Sequence, residues 1–300
     1  MSTESVDPRF VDLDRWPSER AVEAMLEGQL AAIAAIHSQV RAIADAADAA
    51  GERLRRGGRL VYVGAGTSGR VAVQDGVELF PTYNWPEDRL VFLMAGGLDA
   101  LTKSAERAED DADGARAMVD VRAIGREDVV IGVAASGRTP FTVAAIVAAR
   151  AAGALTIGIA NNAGTPLLAA ADHAIAVVTG SEIVAGSTRM KAGTAQKAVL
   201  NMLSTTTMLR CGLVYRGLMV NMRVSNDKLL QRGRGMVREI AEVDDEAARA
   251  ALDLAGLDIK QAVLIAMGIE RDRARSLLDE HHGDLRAAVS ALRDRHPDHA

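Results

Sequence analysis

Apolar positions change period twice along this chain. From Glu19 to about Arg56, Leu26, Leu30, Ile33, Ile36, Val40 and Ile43 recur at steps of three and four. That spacing is one stripe of a helix or helix pair, and Pro17-Ser18 is a plausible start for it. Next come five short, nearly continuous apolar runs: Arg59–Gly64, Arg89–Met94, Asp128–Val133, Leu155–Ile159 and His173–Val178. Ala- and charge-rich helical stretches separate them. Continuous apolar strands imply burial on both faces, and alternation with helices implies a parallel sheet. The pattern therefore predicts an α/β fold, a doubly wound five-stranded parallel sheet over roughly residues 57–180, followed by a long helix from Met190 to about Arg210.

Beyond that helix no strand is expected. Arg249–Asp253 with Asp258–Val263 resembles Arg275–Asp279 with Asp284–Val289, the matching residues lying 26 positions apart (Arg249 with Arg275, Asp258 with Asp284, Ala262 with Ala288). Each copy reads as a helix, a turn holding Gly256 or Gly283, and a second helix. Two copies make a small all-helical module rather than a solenoid. The expected organisation is a helical segment, 1–56, packing on an α/β domain, 57–220, with a C-terminal module, 221–300, whose tail from Arg293 is frayed.

Composition narrows the class. At 300 residues and 31.7 kDa there is room for one large domain with helical appendages, or two modest domains. A net charge of −5 and a pI near 5.7 argue against a nucleic-acid partner, which calls for a basic face. The single cysteine, Cys211, excludes a disulfide framework and a thiolate-rich metal site, and suits a reducing compartment. Met1–Arg15 is polar, with no signal-peptide core, and the longest uncharged run, Ala151–Ala171, is broken by Asn161, Asn162, Gly164 and Pro166. No membrane association is expected, and the setting is cytoplasmic by default.

Two loops carry the first chemical signal. Gly64-Ala-Gly66-Thr67-Ser68-Gly69 satisfies Gly-x-Gly-x-x-Gly at a strand-to-helix junction, which on its own suggests a dinucleotide site. Ala95-Gly96-Gly97 stands where a ribose-binding acid would be needed, and the Thr67 and Ser68 hydroxyls suit a phosphate monoester better. The second loop, Ala134–Pro140, presents Ser136, Gly137, Arg138 and Thr139 after the third strand. Hydroxyls, backbone N–H groups and a positive helix end make each an anion site. In a flavodoxin-like sheet the first and third strands are neighbours at the topological switch point, so both loops would face one crevice. Either alone would pass for a capped turn; the pair favours phosphate binding.

A third segment, Ser181–Lys197, places Arg189 and Lys191 at the start of the long helix, with Ser187 or Thr188 as its cap. Cations there oppose the macrodipole, a conflict that an anionic ligand would remove. Glu78, set among Val77, Leu79, Phe80 and Pro81, is expected to be desolvated. Glu109 lies in an acidic run, Glu106–Asp113, most of which reads as a solvated helix face. The six histidines show no ligand spacing, so no metal site is expected. Ser68 and Ser136 have no indicated His partner and no nucleophile-elbow context.

These loops together resemble a sugar isomerase (SIS) domain. Gly64–Arg70, Ala134–Pro140, and above all Gly186–Lys197 followed by Asn201–Ser204, are similar to the N-acetylmuramic acid 6-phosphate etherase family. Pro81–Tyr83, Ala95–Gly97, Ala108–Asp110, Asn226–Leu229 and the paired C-terminal helices fall where that family has them, so the likeness covers nearly the whole chain. Only the first 20 or so residues match weakly, with Thr3-Glu4 as a candidate element. The resemblance implies a carbon–oxygen lyase that splits the D-lactyl ether of N-acetylmuramic acid 6-phosphate with water, giving N-acetylglucosamine 6-phosphate and D-lactate in cell-wall sugar recycling. It further implies a cytoplasmic homodimer with no metal or organic cofactor, and functional glutamates at Glu78 and Glu109. The residues flanking Glu78 depart from the family's usual form; the carboxylate is retained.

The chemistry asks for such a pair. In the open-chain sugar the C2 proton is α to the aldehyde, and the ether oxygen leaves from C3. Elimination needs a base at C2 and an acid at the departing oxygen, and hydration reuses both. Glu78 is assigned as the acid and Glu109 as the base, an assignment open to exchange, with Gly66, Thr67, Ser68, Ser136, Gly137, Arg138, Thr139, Ser187 and Lys191 holding substrate. One geometric difficulty arises: ten helical residues would put Glu78 about 15 Å from Ser68. Either the helix bends or stops early, or Glu78 serves the partner subunit's site across a two-fold axis, the favoured alternative. Two other readings stay open. An aldose–ketose phosphosugar isomerase would need no lactyl pocket; a non-enzymatic sugar-phosphate-binding regulator would lack a catalytic glutamate or carry a second such domain.

Overall fold

The computed structural model describes residues 2–103 and 107–295. Contacts divide the chain into two units: Met1–Val77 with Asp88–Thr207, and Glu78–Glu87 with the chain from Met208 onward.

In the first unit, α1 (Ser18–Ala35) and α2 (Val40–Arg55) are joined by a short 3₁₀ turn. The sheet and its helices follow: β1 (Leu60–Gly64), α3 (Gly66–Val77), then, after the α4 segment (Leu79–Tyr83) of the second unit, β2 (Leu90–Met94), α5 (Ala112–Val121), β3 (Val129–Ala134), α6 (Pro140–Ala151), β4 (Leu155–Ala160), α7 (Pro166–Ala170), β5 (His173–Ala176) and α8 (Lys191–Arg210). All five apolar runs are strands. They pair in parallel in the order β2-β1-β3-β4-β5, the flavodoxin-like arrangement expected from the sequence. β1, β3 and β4 are buried throughout, because helices cover both faces of the sheet. Gly64 pairs with Val133, so β1 and β3 end level and their loops emerge side by side.

The N-terminal stripe is helical as its spacing predicts, but its burial is divided. Ile36 and Ile43 are buried, with Ala46, Ala47, Ala50 and Leu54 of α2. Leu26, Leu30, Ile33 and Val40 are exposed, and of α1 only Ala32 is buried. Periodicity identifies an amphipathic helix; it does not say what covers the apolar face.

The second unit contains α4, α9 (Asp227–Ala241), α10 (Asp245–Leu254), α11 (Ile259–Ala266), α12 (Arg271–Glu280) and α13 (Leu285–Arg295). The 26-residue repeat is structural: α10 and α12, and likewise α11 and α13, start 26 positions apart. Asp258 and Asp284 each cap the second helix of a copy, accepting from Gln261 N and from Arg286 N and Ala287 N respectively. Lys260 joins the copies, its ammonium donating to the Gly283 carbonyl at 2.8 Å, while burial pushes its pKa down. Val237, Ala248, Ala262, Val263, Leu264, Ala274 and Ala288 form a fully buried core. The tail expected to fray is helical in backbone through Arg295, and its remainder lies outside the described residues. Among the described residues no helix is long and apolar enough to cross a membrane.

Candidate active site

At the ends of β1 and β3 the first unit opens a cavity of about 400 Å³. One wall is the first loop, with Gly66, Thr67 and Ser68; another is the second loop, with Ser136, Arg138, Thr139 and Pro140. Close packing fixes the first loop. A methyl on Gly69 would stand 2.3 Å from Met94 Sδ and 2.8 Å from the Gly64 backbone, so the start of α3 is pressed onto its own strand and the strand beside it. In the second loop Gly137 has φ +65°, and a methyl there would meet Thr165. That backbone lets Ser136 Oγ accept from Arg138 N at 3.1 Å. The Thr139 hydroxyl makes no capping bond at the N-terminus of α6, and Pro140 occupies the first helical turn. Two helix N-termini, those of α3 and α6, thus meet at one cavity with hydroxyls between them, a setting suited to a phosphate monoester.

Glu109 and Asp110 form the third wall. Here the expectation of a helical acidic face needs correction. Ala108–Asp110 is a 3₁₀ turn entered through Arg107 at φ +64°, and it packs on α6. The helix begins only after Asp111, whose carboxylate caps it by accepting from Gly114 N at 2.8 Å. Glu106, in the same run, lies outside the described residues. The remaining lining includes Thr188 and Glu4.

Several expected site residues stand elsewhere. Gly137 shapes its loop without lining the cavity, and Ser187 does not line it either. Lys191 donates its ammonium to the Thr179 carbonyl at 2.9 Å and lines a separate hollow with Gly28, Ala31 and Ile183. The conflict at the start of α8 is resolved inside the protein. The buried Glu182 carboxylate accepts from Lys191 N at 3.0 Å and Ala192 N at 2.9 Å, so neither Ser187 nor Thr188 is the cap. Glu78 is exposed, contrary to the desolvation expected from its apolar neighbours, and it belongs to the second unit. Leu79 and Tyr83 are the buried side chains there, whereas Val77 is half exposed. α3 runs unbroken from Gly66 to Val77, so it does not stop early.

One buried acid supports the site from behind. Asp75, on α3, accepts from Tyr62 Oη at 2.8 Å and Ser204 Oγ at 3.2 Å, tying that helix to β1 and α8. Burial pushes its pKa up, and these hydrogen bonds partly offset the rise. Among the described residues no group of three or more His, Cys, Asp or Glu is placed to hold a metal ion.

Level hydroxyl-bearing loops at the switch point of a 2-1-3-4-5 parallel sheet, with carboxylates across the cavity, are the arrangement of a sugar isomerase (SIS) domain. Residues 40–151 match the family described as glucokinase regulatory protein N-terminal SIS domain, and residues 109–206 match the SIS domain. The chain is 46% identical over 288 residues to the N-acetylmuramic acid 6-phosphate etherase of Deinococcus radiodurans, covering 96% of this chain and 94% of that one. It is 45% identical over 293 residues to the etherase of Streptomyces coelicolor, covering 97% and 94%. To that of Cronobacter sakazakii it is 43% identical over 290 residues, covering 96% and 97%. It belongs to the N-acetylmuramic acid 6-phosphate etherase family.

Proposed function

We propose that the cavity between the two loops takes N-acetylmuramic acid 6-phosphate and releases D-lactate from it. The observation that carries this reading is the convergence of both hydroxyl-bearing loops and Glu109 on one cavity. Thr67, Ser68, Ser136 and Thr139, with the N-termini of α3 and α6, hold the 6-phosphate. That grip spends binding energy far from the reacting carbons on orienting them. In the open-chain sugar Glu109 removes the C2 proton. The C3–O bond breaks, its electron pair leaves with lactate, and Glu78 delivers a proton to the departing oxygen. Water then adds at C3 and a proton returns to C2, giving N-acetylglucosamine 6-phosphate. One carboxyl acts ionised and the other protonated, so the groups finish in the states in which they began.

The active form is a homodimer in which Glu78 reaches the partner's cavity. Two features support this. α3 runs unbroken to Val77, which puts the exposed Glu78 at the end of that helix away from the first loop, and α1 carries an apolar stripe that is exposed among the described residues. Val22, Leu26, Leu30 and Ile33 in that stripe are 62%, 58%, 63% and 46% exposed. An exposed stripe at helical spacing is the kind of surface a second copy covers. The lone Cys211 and the absence of metal-ligand spacing suit a cytoplasmic enzyme working without a cofactor.

Turnover in ¹⁸O-labelled water tests the reaction. The label is expected at C3 of the sugar product and absent from lactate, because the ether oxygen leaves with the lactyl group. Label in lactate would sink the elimination route; isomerised sugar phosphate without lactate would favour the isomerase reading. Ser68→Ala and Ser136→Ala are each expected to raise KM about tenfold with a smaller change in kcat, since each removes a hydrogen bond to a charged group. Titration calorimetry with the product sugar phosphate checks the binding loss directly.

A further inference from the structure

The segment from Ser2 to Asp7 is not a loose end. Thr3 is fully buried: its N–H donates to Asn162 Oδ1 at 3.2 Å, and Asn162 Nδ2 donates to Thr3 Oγ1 at 2.9 Å and to the Ala135 carbonyl at 3.0 Å. Asn162 therefore locks the N-terminal segment to the loop that bears Ser136. Asp7, also buried, fastens the other end. It accepts from Ser181 Oγ at 3.3 Å and is paired with Arg9, whose hydrogen bonds hold its carboxyl well below the usual carboxylate range. Between these two clasps Glu4 is exposed and lines the cavity together with Ser68, Ser136 and Glu109. The Thr3 hydroxyl donates weakly to Glu4 Oε1 at 3.4 Å, and a methyl on Gly186 would stand 3.4 Å from Oε2. The carboxylate thus lies against Gly186, whose backbone is left-handed at φ +74°.

We infer that Glu4 is a substrate-contacting, specificity-determining residue, carried into the cavity by a strap that Thr3 and Asp7 hold down. This rests on the cavity being the sugar-phosphate site. A carboxylate is repelled by the substrate's phosphate and by its lactyl carboxylate. It gains by accepting from a neutral donor, and the sugar offers two kinds, hydroxyls and the acetamido N–H. Glu4 therefore reads the sugar end of the ligand while the two loops read the phosphate end. An acid at this place also penalises ligands that present an anion directly to it, so it selects as well as binds.

Binding of N-acetylglucosamine 6-phosphate and of inorganic phosphate, measured on the full-length protein and on Glu4→Ala, Glu4→Gln and Ser136→Ala, tests the inference. Glu4→Ala and Glu4→Gln are expected to weaken the sugar phosphate about tenfold or more, the scale of a lost hydrogen bond to a charged group, and to leave inorganic phosphate within about twofold. Ser136→Ala is expected to weaken both ligands. Sugar-phosphate binding unchanged in the Glu4 variants, with the Ser136 variant impaired, would overturn the role of Glu4 alone. Unchanged binding in all three would overturn the site as well. Equal loss of both ligands in the Glu4 variants would assign the strap a merely structural part and also overturn the inference.

Discussion

Glu109→Gln is expected to lower kcat by at least about a hundredfold with little change in KM, the scale on which a general base contributes. The substitution keeps size and hydrogen-bonding capacity and removes the ability to accept a proton. Glu109 is exposed on a 3₁₀ turn and makes no part of the core, so folding offers no competing explanation for a loss. Exchange of the C2 proton separates its role from that of the acid. Incubated in deuterated water with N-acetylglucosamine 6-phosphate, the native protein is expected to introduce deuterium at C2, because hydration and elimination share that deprotonation in reverse. Glu109→Gln should lose the exchange, whereas Glu78→Gln should retain it, since no C3–O bond need break. The opposite pattern would exchange the two roles. Near-native turnover in Glu109→Gln would remove this residue from the mechanism.

The strands and the two hydroxyl-bearing loops were legible because their signals are local. Continuous apolar runs such as Val129–Ala134 can be buried only between two helical layers, and Gly64 and Gly69 mark the close approach of helix to strand. What escaped depends on contacts distant in sequence. Lys191 looked like an anion-binding cation because the compensating Glu182 carboxylate is nine residues upstream in an irregular segment. Thr3-Glu4 was legible only as a candidate family element without a role; the Thr3–Asn162 pair, 159 residues apart in sequence, reveals where Glu4 sits. Glu78 looked buried because its neighbours are apolar, yet Leu79 and Tyr83 take the inside and leave it outside. In α1 the periodicity was right about the helix and silent about Leu26 and Leu30 remaining uncovered. Local order follows from spacing; which surface meets which is decided by the assembled chain.

That same uncovered surface gives the second large effect. Glu78→Gln homodimers are expected to lose at least about a hundredfold in kcat, as general-acid loss does. Mixing decides whose site the residue serves. In a dimer of one Glu78→Gln chain and one Glu109→Gln chain, action across the two-fold axis assembles one cavity with both native carboxyls and one with neither. Such a heterodimer, isolated through two different affinity tags, should therefore recover about half the native turnover, since one site of its two is intact. If each Glu78 served its own chain, both sites would carry one defect, and the heterodimer would be as inactive as its parents. The uncovered α1 stripe supplies a control. Leu26→Glu with Leu30→Glu places two charges on that face, while the buried core of the first unit is untouched. If the second copy sits there, the doubly substituted chain should elute as a folded monomer and turn over no faster than Glu78→Gln, although its own Glu109 and phosphate loops are native. An active monomer would place Glu78 in its own chain's site and dispense with the dimer altogether.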